Sequence, residues 1–322
     1  MEWWTDAMAG LQDGLFEAVV QPLAFTLGWG GILEQAFDAT GWFLVGVLQL
    51  LIMLVVLVPL ERWRPVEPVV DPAAVRIDLL YTLIHRLGLF RLAMFLLLDP
   101  PMQAVLGELR GQGVGTWHLD AVWPGVTDIP WVSFMLYLVV FDALGYVMHR
   151  AQHQWSWWWA LHAVHHSQRQ MTLWTDNRNH VLDDMIQSVV WVLVAQAIGV
   201  GPGQFVALMA FTQLSESFQH ANLRCSFGRW GERLWISPRF HRLHHAMGLG
   251  HESAPGVLGG HNFGVLLPWW DMLCHTARFD DAVTPTGIRD QVEQGRDYGR
   301  GWWAQQRLGL VRCWQALTAR SV

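Results

Sequence analysis

The sequence predicts an all-α fold, a polytopic membrane helix bundle of about four spans with a cytoplasmic helical cap. Three observations carry the prediction. Of 322 residues, 52% are hydrophobic, only 15% are charged and 21 are Trp, a balance far from that of a soluble domain. All 21 basic residues are Arg, unevenly spread along the chain. The 15 histidines gather in short repeated patterns.

Taken in order, residues 1–41 read as an external N-terminal segment. Met1 to Asp6 is acidic and aromatic, unlike a cleavable signal peptide, and 11–33 is amphipathic and Gly-rich, as in an interfacial helix. Residues 42–280 read as the membrane-embedded domain. Trp42 to Leu60 carries no charge over 19 residues, enough to cross a hydrocarbon core of roughly 30 Å. Leu79 to Leu98 is weaker, because His85, Arg86 and Arg91 interrupt it; it reads equally as a crossing or as an interfacial or bundle-facing helix. Ile129 to Met148 is a span broken only by Asp142. Met185 to Ile198 and Phe205 to Phe218, joined by Gly199-Val200-Gly201-Pro202-Gly203, read as a helical hairpin. The tail, 281–322, begins polar and ends amphipathic with Trp302, Trp303, Leu310 and Trp314, as expected of a helix on the membrane surface.

Arginine orients these spans. Residues 1–41 contain none, whereas Arg62 and Arg64 directly follow the first span, so the N-terminus is expected outside and Arg62 in the cytoplasm. If Leu79–Leu98 crosses, 99–128 is external with Arg110 alone, and Arg150, Arg169, Arg178 and the twelve arginines from Arg224 onward fall inside. Every histidine cluster then lies at the cytoplasmic boundary.

Those clusters are His149-x-x-x-His153, His162-x-x-His165-His166 and His241-x-x-His244-His245. Chance would produce an HxxHH on the order of 0.03 times in such a chain, so two copies are not accidental. Helical positions i, i+3 and i+4 share one face, so each box aims three imidazoles at one point. Imidazole is the commonest metal ligand and suits iron, zinc and copper. Eight are too many for one ion with about four to six ligands, so the pattern implies two metals. His220 follows the hairpin back to the same membrane face, and Glu216 lies one turn before it, so the pair could present a carboxylate and an imidazole together. Asp142 shares a helix face with His149 and His153, and an acid inside a span needs a reason; it is expected to accept a ring N–H from a ligand histidine. Asp176, Asp183, Asp184 and Asp271 are weaker candidates for that task. His180 reads equally as a contributor or as a local partner of Asp183 and Asp184. His85, His118, His251, His261 and His275 are not expected to be ligands, and the Trp155-Ser156-Trp157-Trp158-Trp159 cluster reads as an interfacial belt.

The order HxxxH, HxxHH and distant HxxHH resembles the fatty acid hydroxylase/sterol desaturase superfamily of integral-membrane di-iron oxygenases. The likeness includes Phe141-Asp142 through His149-Arg150, Leu161-His162-Ala163-Val164-His165-His166-Ser167, Phe218-Gln219-His220-Ala221-Asn222, Ser237-Pro238-Arg239-Phe240-His241, and Asn262-Phe263-Gly264 with Trp270-Asp271. It adds His220 to the expected ligands. It implies two Fe2+ ions, O2 as co-substrate, a membrane lipid substrate, and electrons from an external ferredoxin- or cytochrome-type protein, since no fused haem or flavin segment is visible. Three departures stand out: His180-Val181 where many members have His-Pro, Cys274-His275-Thr276 where Phe-Gly-Thr is usual, and Gln154 where alkylglycerol monooxygenase-like members carry Glu. The last weakens an ether-lipid reading.

Other classes fit less well. A membrane zinc hydrolase needs an acid within its motif, as in HExxH, and keeps three protein ligands on its metal. A metal transporter needs polar residues along its crossings, which are apolar here. A net charge of −6 gives no support for nucleic-acid binding, and Cys225, Cys274 and Cys313 are too isolated for a disulfide framework. The absence of lysine and the richness in Arg, Ala and Gly suggest a GC-rich genome and a bacterial inner membrane.

Overall fold

The computed structural model describes residues 2–280 and 283–319; Met1, Asp281, Ala282 and 320–322 lie outside them. The described chain is mostly helical, with one small antiparallel ladder pairing Glu252–Ala254 with Val257–Leu258 and an isolated bridge between Ala246 and Thr286. Among the described residues, three helices are long and apolar enough to cross a membrane: Gly30–Trp63, Pro130–Gln154 and Val181–Ile198. Pro72–Arg86 and Leu89–Leu97, bent by 51°, make a fourth if counted as one span. This agrees with the all-α bundle of about four spans. Pro202–His220 forms the predicted second arm of the hairpin, although its Gln and Ser content leaves it outside that set.

Two compact units are present: Met1–Ile52 with Leu83–Trp117, and Met53–Thr82 with His118–Val322. In the first, the residues that interrupted the weak span all have partners. Arg86 is buried and its Nη1 donates to Gln49 Oε1 at 3.0 Å. His85 stacks on Phe90 at 4.9 Å, and the Arg91 guanidinium lies 4.4 Å over the Trp42 ring. Glycine at 46 lets the backbones approach, since a Cβ there would sit 1.5 Å from the Arg86 carbonyl oxygen. The bend falls at Gly88, whose φ of 79° is left-handed and free of penalty only for glycine. Both π-helical turns of the described chain, Phe16–Val20 and Met53–Leu57, come just before a proline, Pro22 and Pro59. A proline inside a helix has no N–H and clashes with the carbonyl four residues earlier, and a widened turn relieves both.

In the second unit, Pro130–Gln154 ends at extended Trp155, and the chain turns straight into Ser156–His166. The tail, expected on the membrane surface, docks on protein: Trp302–Thr318 packs along Ser156–His166 and buries Gln305, Gln306, Gly309 and Cys313. Buried amides need partners. Gln306 Nε2 donates to Tyr81 Oη and to the Asn179 carbonyl, both at 3.0 Å, and its Oε1 accepts from the Val181 N–H at 2.8 Å. The apolar residues read from the sequence, Trp303, Leu310 and Trp314, form the exposed face of this helix.

Candidate metal centre

Four stretches of the second unit supply the predicted histidines. Pro130–Gln154 carries His149 and His153, Ser156–His166 carries His162, His165 and His166, and Pro202–His220 ends on His220. Pro238–His244 carries His241 and His244, with His245 as its cap. That short helix is well specified. Proline occupies its first position, Ser237 caps the Phe240 N–H at 3.2 Å, and Ser237 Oγ in turn donates to both Glu232 oxygens at 2.8 Å.

The nine rings form two groups, His149, His153, His162, His166 and His244 in one and His165, His220, His241 and His245 in the other; within each, one ring nitrogen per residue lies within 4.8 Å of all the others. Four rings are held from behind. Nδ1 contacts a carbonyl oxygen in His149 (Phe263 O, 2.9 Å), His244 (His261 O, 2.8 Å) and His220 (Glu216 O, 2.7 Å). A carbonyl only accepts, so Nδ1 carries the hydrogen and Nε2 presents a lone pair. His162 Nδ1 lies 3.3 Å from Asp183 Oδ2.

Those lone pairs converge. Nε2 of His220 lies 3.1 Å from His165 Nε2 and 2.9 Å from His241 Nε2, and Nε2 of His244 lies 3.1 Å from His166 Nε2. Two imidazoles bound at ~2.0–2.1 Å to one ion at a right angle stand ~2.9 Å apart, which is the spacing seen. Both nitrogens of His153 and of His245, His162 Nε2, and Nδ1 of His165, His166 and His241 are buried without a hydrogen-bond partner in the protein. Each such atom costs ~1–3 kcal/mol, and so many in one place is the mark of an ion site. Burial, followed by the neighbouring rings, holds His165, His166, His241, His244 and His245 well below the usual histidine pKa, in the neutral form that binds metals. All donors are nitrogen, which fits iron, zinc or copper and not magnesium or calcium.

The acids fall differently from expectation. Asp142 reaches no histidine ring: its carboxylate accepts from the Leu266 N–H (2.7 Å), the Leu267 N–H and Trp270 Nε1 (2.8 Å). Asp271 accepts from the Phe263 and Gly264 N–H groups at 2.9 and 2.7 Å. The two aspartates thus pin opposite ends of the 263–267 loop whose Phe263 carbonyl orients His149. Glu216 belongs to neither histidine group, and its backbone oxygen serves His220. Two of the weaker candidates face rings: Asp176 Oδ1 lies 3.9 Å from His220 Nδ1, and Asp183, fully buried, faces His162 more closely and also accepts from Gln152 Nε2 and Trp158 Nε1, each at 2.7 Å. Asp176 accepts from Ser217 Oγ at 2.7 Å, and Asp184 donates its backbone N–H to His180 O.

His180 stands apart from the centre. Its Nδ1 accepts from the Leu182 N–H at 3.1 Å and its Nε2 donates to Gln306 O at 2.8 Å. His85, His118, His251, His261 and His275 lie outside both groups. Two of them matter nonetheless: His261 supplies the carbonyl to His244, and buried His251 stacks on Trp159 at 5.2 Å. Trp159 itself packs on His153 and His166, so the tryptophan cluster, expected as a belt, points inward in part. A tryptophan three residues before a histidine box, on its helical face, is the signal that could have shown this.

Residues 134–276 match the family model for fatty acid hydroxylase. The matched stretch, less than half of the chain, holds all nine histidines of the centre and is similar to the fatty acid hydroxylase family. The chain is 26% identical over 182 residues to an alkylglycerol monooxygenase of Caenorhabditis elegans, covering 54% of this chain and 34% of that protein. It is 26% identical over 163 residues to the ornithine lipid hydroxylase OlsE of Rhizobium tropici, covering 50% and 47%. It is 28% identical over 141 residues to a Delta(7)-sterol 5(6)-desaturase of Gibberella zeae, covering 44% and 42%. The match spans less than half the length of each of these relatives. No solved structure matches the chain.

Proposed function

We propose that this chain is an O2-dependent lipid hydroxylase or desaturase that acts on an unactivated C–H bond of a fatty acyl, sterol-like or other membrane lipid. His149, His153, His162, His166 and His244 would hold one Fe2+ ion, and His165, His220, His241 and His245 the second. The observation that carries the reading is the sorting of nine packed imidazoles into two groups. Iron supplies what no side chain can, the redox chemistry that removes hydrogen from an unactivated carbon. The chain's own residues orient and insulate. Asp183 and the carbonyls of Phe263, His261 and Glu216 fix four rings, and the complete burial of His153, His166, His244 and His245 keeps water from their nitrogens. The apolar spans suit a lipid chain that must be held to within about 1 Å of a reactive geometry.

The relatives' names point to an ether lipid, an ornithine lipid and a sterol, which supports a lipid substrate without choosing among them. An ether-lipid monooxygenase is the second reading, favoured by the first relative and opposed by Gln154. Electrons are assigned to an external ferredoxin- or cytochrome-type protein. The absence of lysine with richness in Arg, Ala and Gly supports a bacterial inner membrane, and the arginine asymmetry an N-terminus outside and a centre on the cytoplasmic side. The test is metal analysis of purified protein together with O2 uptake on reduced ferredoxin and lipid. Two irons per chain, with product lipid gaining one oxygen or losing two hydrogens, are expected. Metal without oxygen uptake would favour transport or hydrolysis and end the proposal.

A further inference from the structure

A cleft of about 440 Å³ opens beside the histidine centre, within the second unit, lined by Arg64, Arg224, Arg239 and Arg242 together with apolar residues such as Leu243 and Val283. We propose that this cleft binds the anionic headgroup, phosphate or carboxylate, of a membrane lipid. The inference names a substrate class for the proposed oxygenase and rests on that reading for its catalytic meaning.

Charge is the first support. Among the described residues no Asp or Glu lines the cleft; Glu232 lies 3.5 Å from Arg239, and Glu67 pairs with Arg242. Arg242 is 7% exposed, yet its Nε and Nη1 have no hydrogen-bond partner in the protein. A buried guanidinium with idle donors is costly unless an anion meets it, and arginine forks match phosphate and carboxylate geometry.

Position is the second. Arg64 follows the last residue of the Gly30–Trp63 span, and Trp63, 74% exposed, is placed as an interfacial anchor, so the cleft sits at headgroup depth. Its rim is stitched together. The Arg224 N–H donates to Arg64 O at 2.8 Å, Arg224 Nε to Pro65 O at 2.8 Å, and Asn222 Oδ1 accepts from the Val66 and Glu67 N–H groups. On Pro238–His244, Arg239 and Leu243 project opposite His241, His244 and His245. One helix, ~10 Å across, therefore separates cleft from centre, a separation that the head and chain of one lipid can bridge. The concave, partly apolar lining and its volume suit a small ligand rather than a flat protein surface.

The test is binding, measured on the detergent-purified full chain without electron donor. The probes are dihexanoyl phosphatidate, dihexanoylglycerol and inorganic phosphate, titrated against the parent and against Arg64→Gln/Arg224→Gln. Phosphatidate is expected to bind at least ~10-fold more tightly than either other probe, and the double variant to lose about that factor while keeping the parent's metal content. The single variant Arg64→Gln, at an exposed side chain, is expected to lose ~3-fold and serves if the double variant does not fold. Equal affinity for inorganic phosphate would reduce the cleft to a free-anion site, and equal affinity for dihexanoylglycerol would remove the charge argument. Unchanged lipid binding in the variants, or loss only of an acidic redox protein's binding, would equally overturn the proposal. Because no turnover is read, a chain that binds phosphatidate but consumes no O2 would sink the oxygenase reading and leave the cleft standing.

Discussion

Asn in place of Asp183 isolates the orientation of one ring. The Asp183 carboxylate is fully buried; it accepts from Gln152 Nε2 at 2.7 and 2.9 Å and from Trp158 Nε1 at 2.7 Å, and it faces His162 Nδ1 at 3.3 Å. Asparagine keeps the shape but offers one acceptor oxygen and an NH2 group. That oxygen can serve Trp158, after which the amide meets Gln152 and His162 donor to donor. Hydrogen bonds to a charged acceptor contribute ~1.5–3 kcal/mol, and loss of a ligand histidine's partner typically weakens metal binding ~10–100-fold, or ~1.4–2.7 kcal/mol. The two estimates overlap, so Asp183→Asn is expected to weaken one of two bound irons by that factor. Competition against chelators of graded strength measures it, and melting of the chelated protein separates any general loss of stability. Iron retained within about twofold of the parent would refute the assignment of Asp183 as the residue that sets His162.

Other predictions follow from the same geometry. His153→Ala and His245→Ala, one from each histidine group, are each expected to lower bound iron from two ions per chain to one; loss of both or neither, by metal analysis, would break the partition. Burial lowers the His180 pKa in the folded chain below its ordinary 6.5, so below about pH 6.5 the unfolded chain takes the proton first. Docking of Trp302–Thr318 is therefore complete above that pH and weakens below it, by at most ~1.4 kcal/mol per pH unit; hydrogen exchange of that helix between pH 7.5 and 5 reads this, and His180→Gln should flatten it. At Gly250 a Cβ would sit 1.4 Å from the His244 carbonyl oxygen, so Gly250→Ala must move His244 and is expected to lose iron. Gly203→Ala, with nothing within 4 Å, should melt within ~0.5 kcal/mol of the parent.

What was legible in the sequence followed from local periodicity. An uncharged run long enough for a bilayer gave the first span, and i, i+3, i+4 spacing gave the ligand face of each histidine box, because both are decided by neighbours along the helix. The residues behind the ligands were hidden for the opposite reason. Phe263 and His261 act through carbonyl oxygens, and a backbone group has no signature in a list of side chains. Asp142 and Asp183 were ranked in the wrong order because helical spacing placed Asp142 beside His149, whereas its carboxylate turned to the 266–267 backbone of a distant loop. The tail's docking was not legible because the partners of Gln305 and Gln306, namely Tyr81, Asn179 and Val181, lie more than a hundred residues away.

The partition of the rings has an order of its own. The first box sends its i and i+4 histidines, His162 and His166, to one group and its i+3 histidine, His165, to the other. The second box does the reverse, with His241 and His245 together and His244 crossing over. On a helix i and i+4 lie ~40° apart while i+3 lies ~60° to the other side, so two boxes facing each other would exchange ligands in this way if the two proposed ions lay between them. The scheme is then completed unequally. His149 and His153 finish the first group as an i, i+4 pair, whereas in the matching pair of the second, Glu216 and His220, only the imidazole joins and the glutamate lends its backbone oxygen. One group therefore has five nitrogen donors and the other four. If the two groups hold ions as proposed, the His165, His220, His241 and His245 group, with one nitrogen donor fewer, is the one suited to an exogenous partner, and substitution there is expected to be the more sensitive.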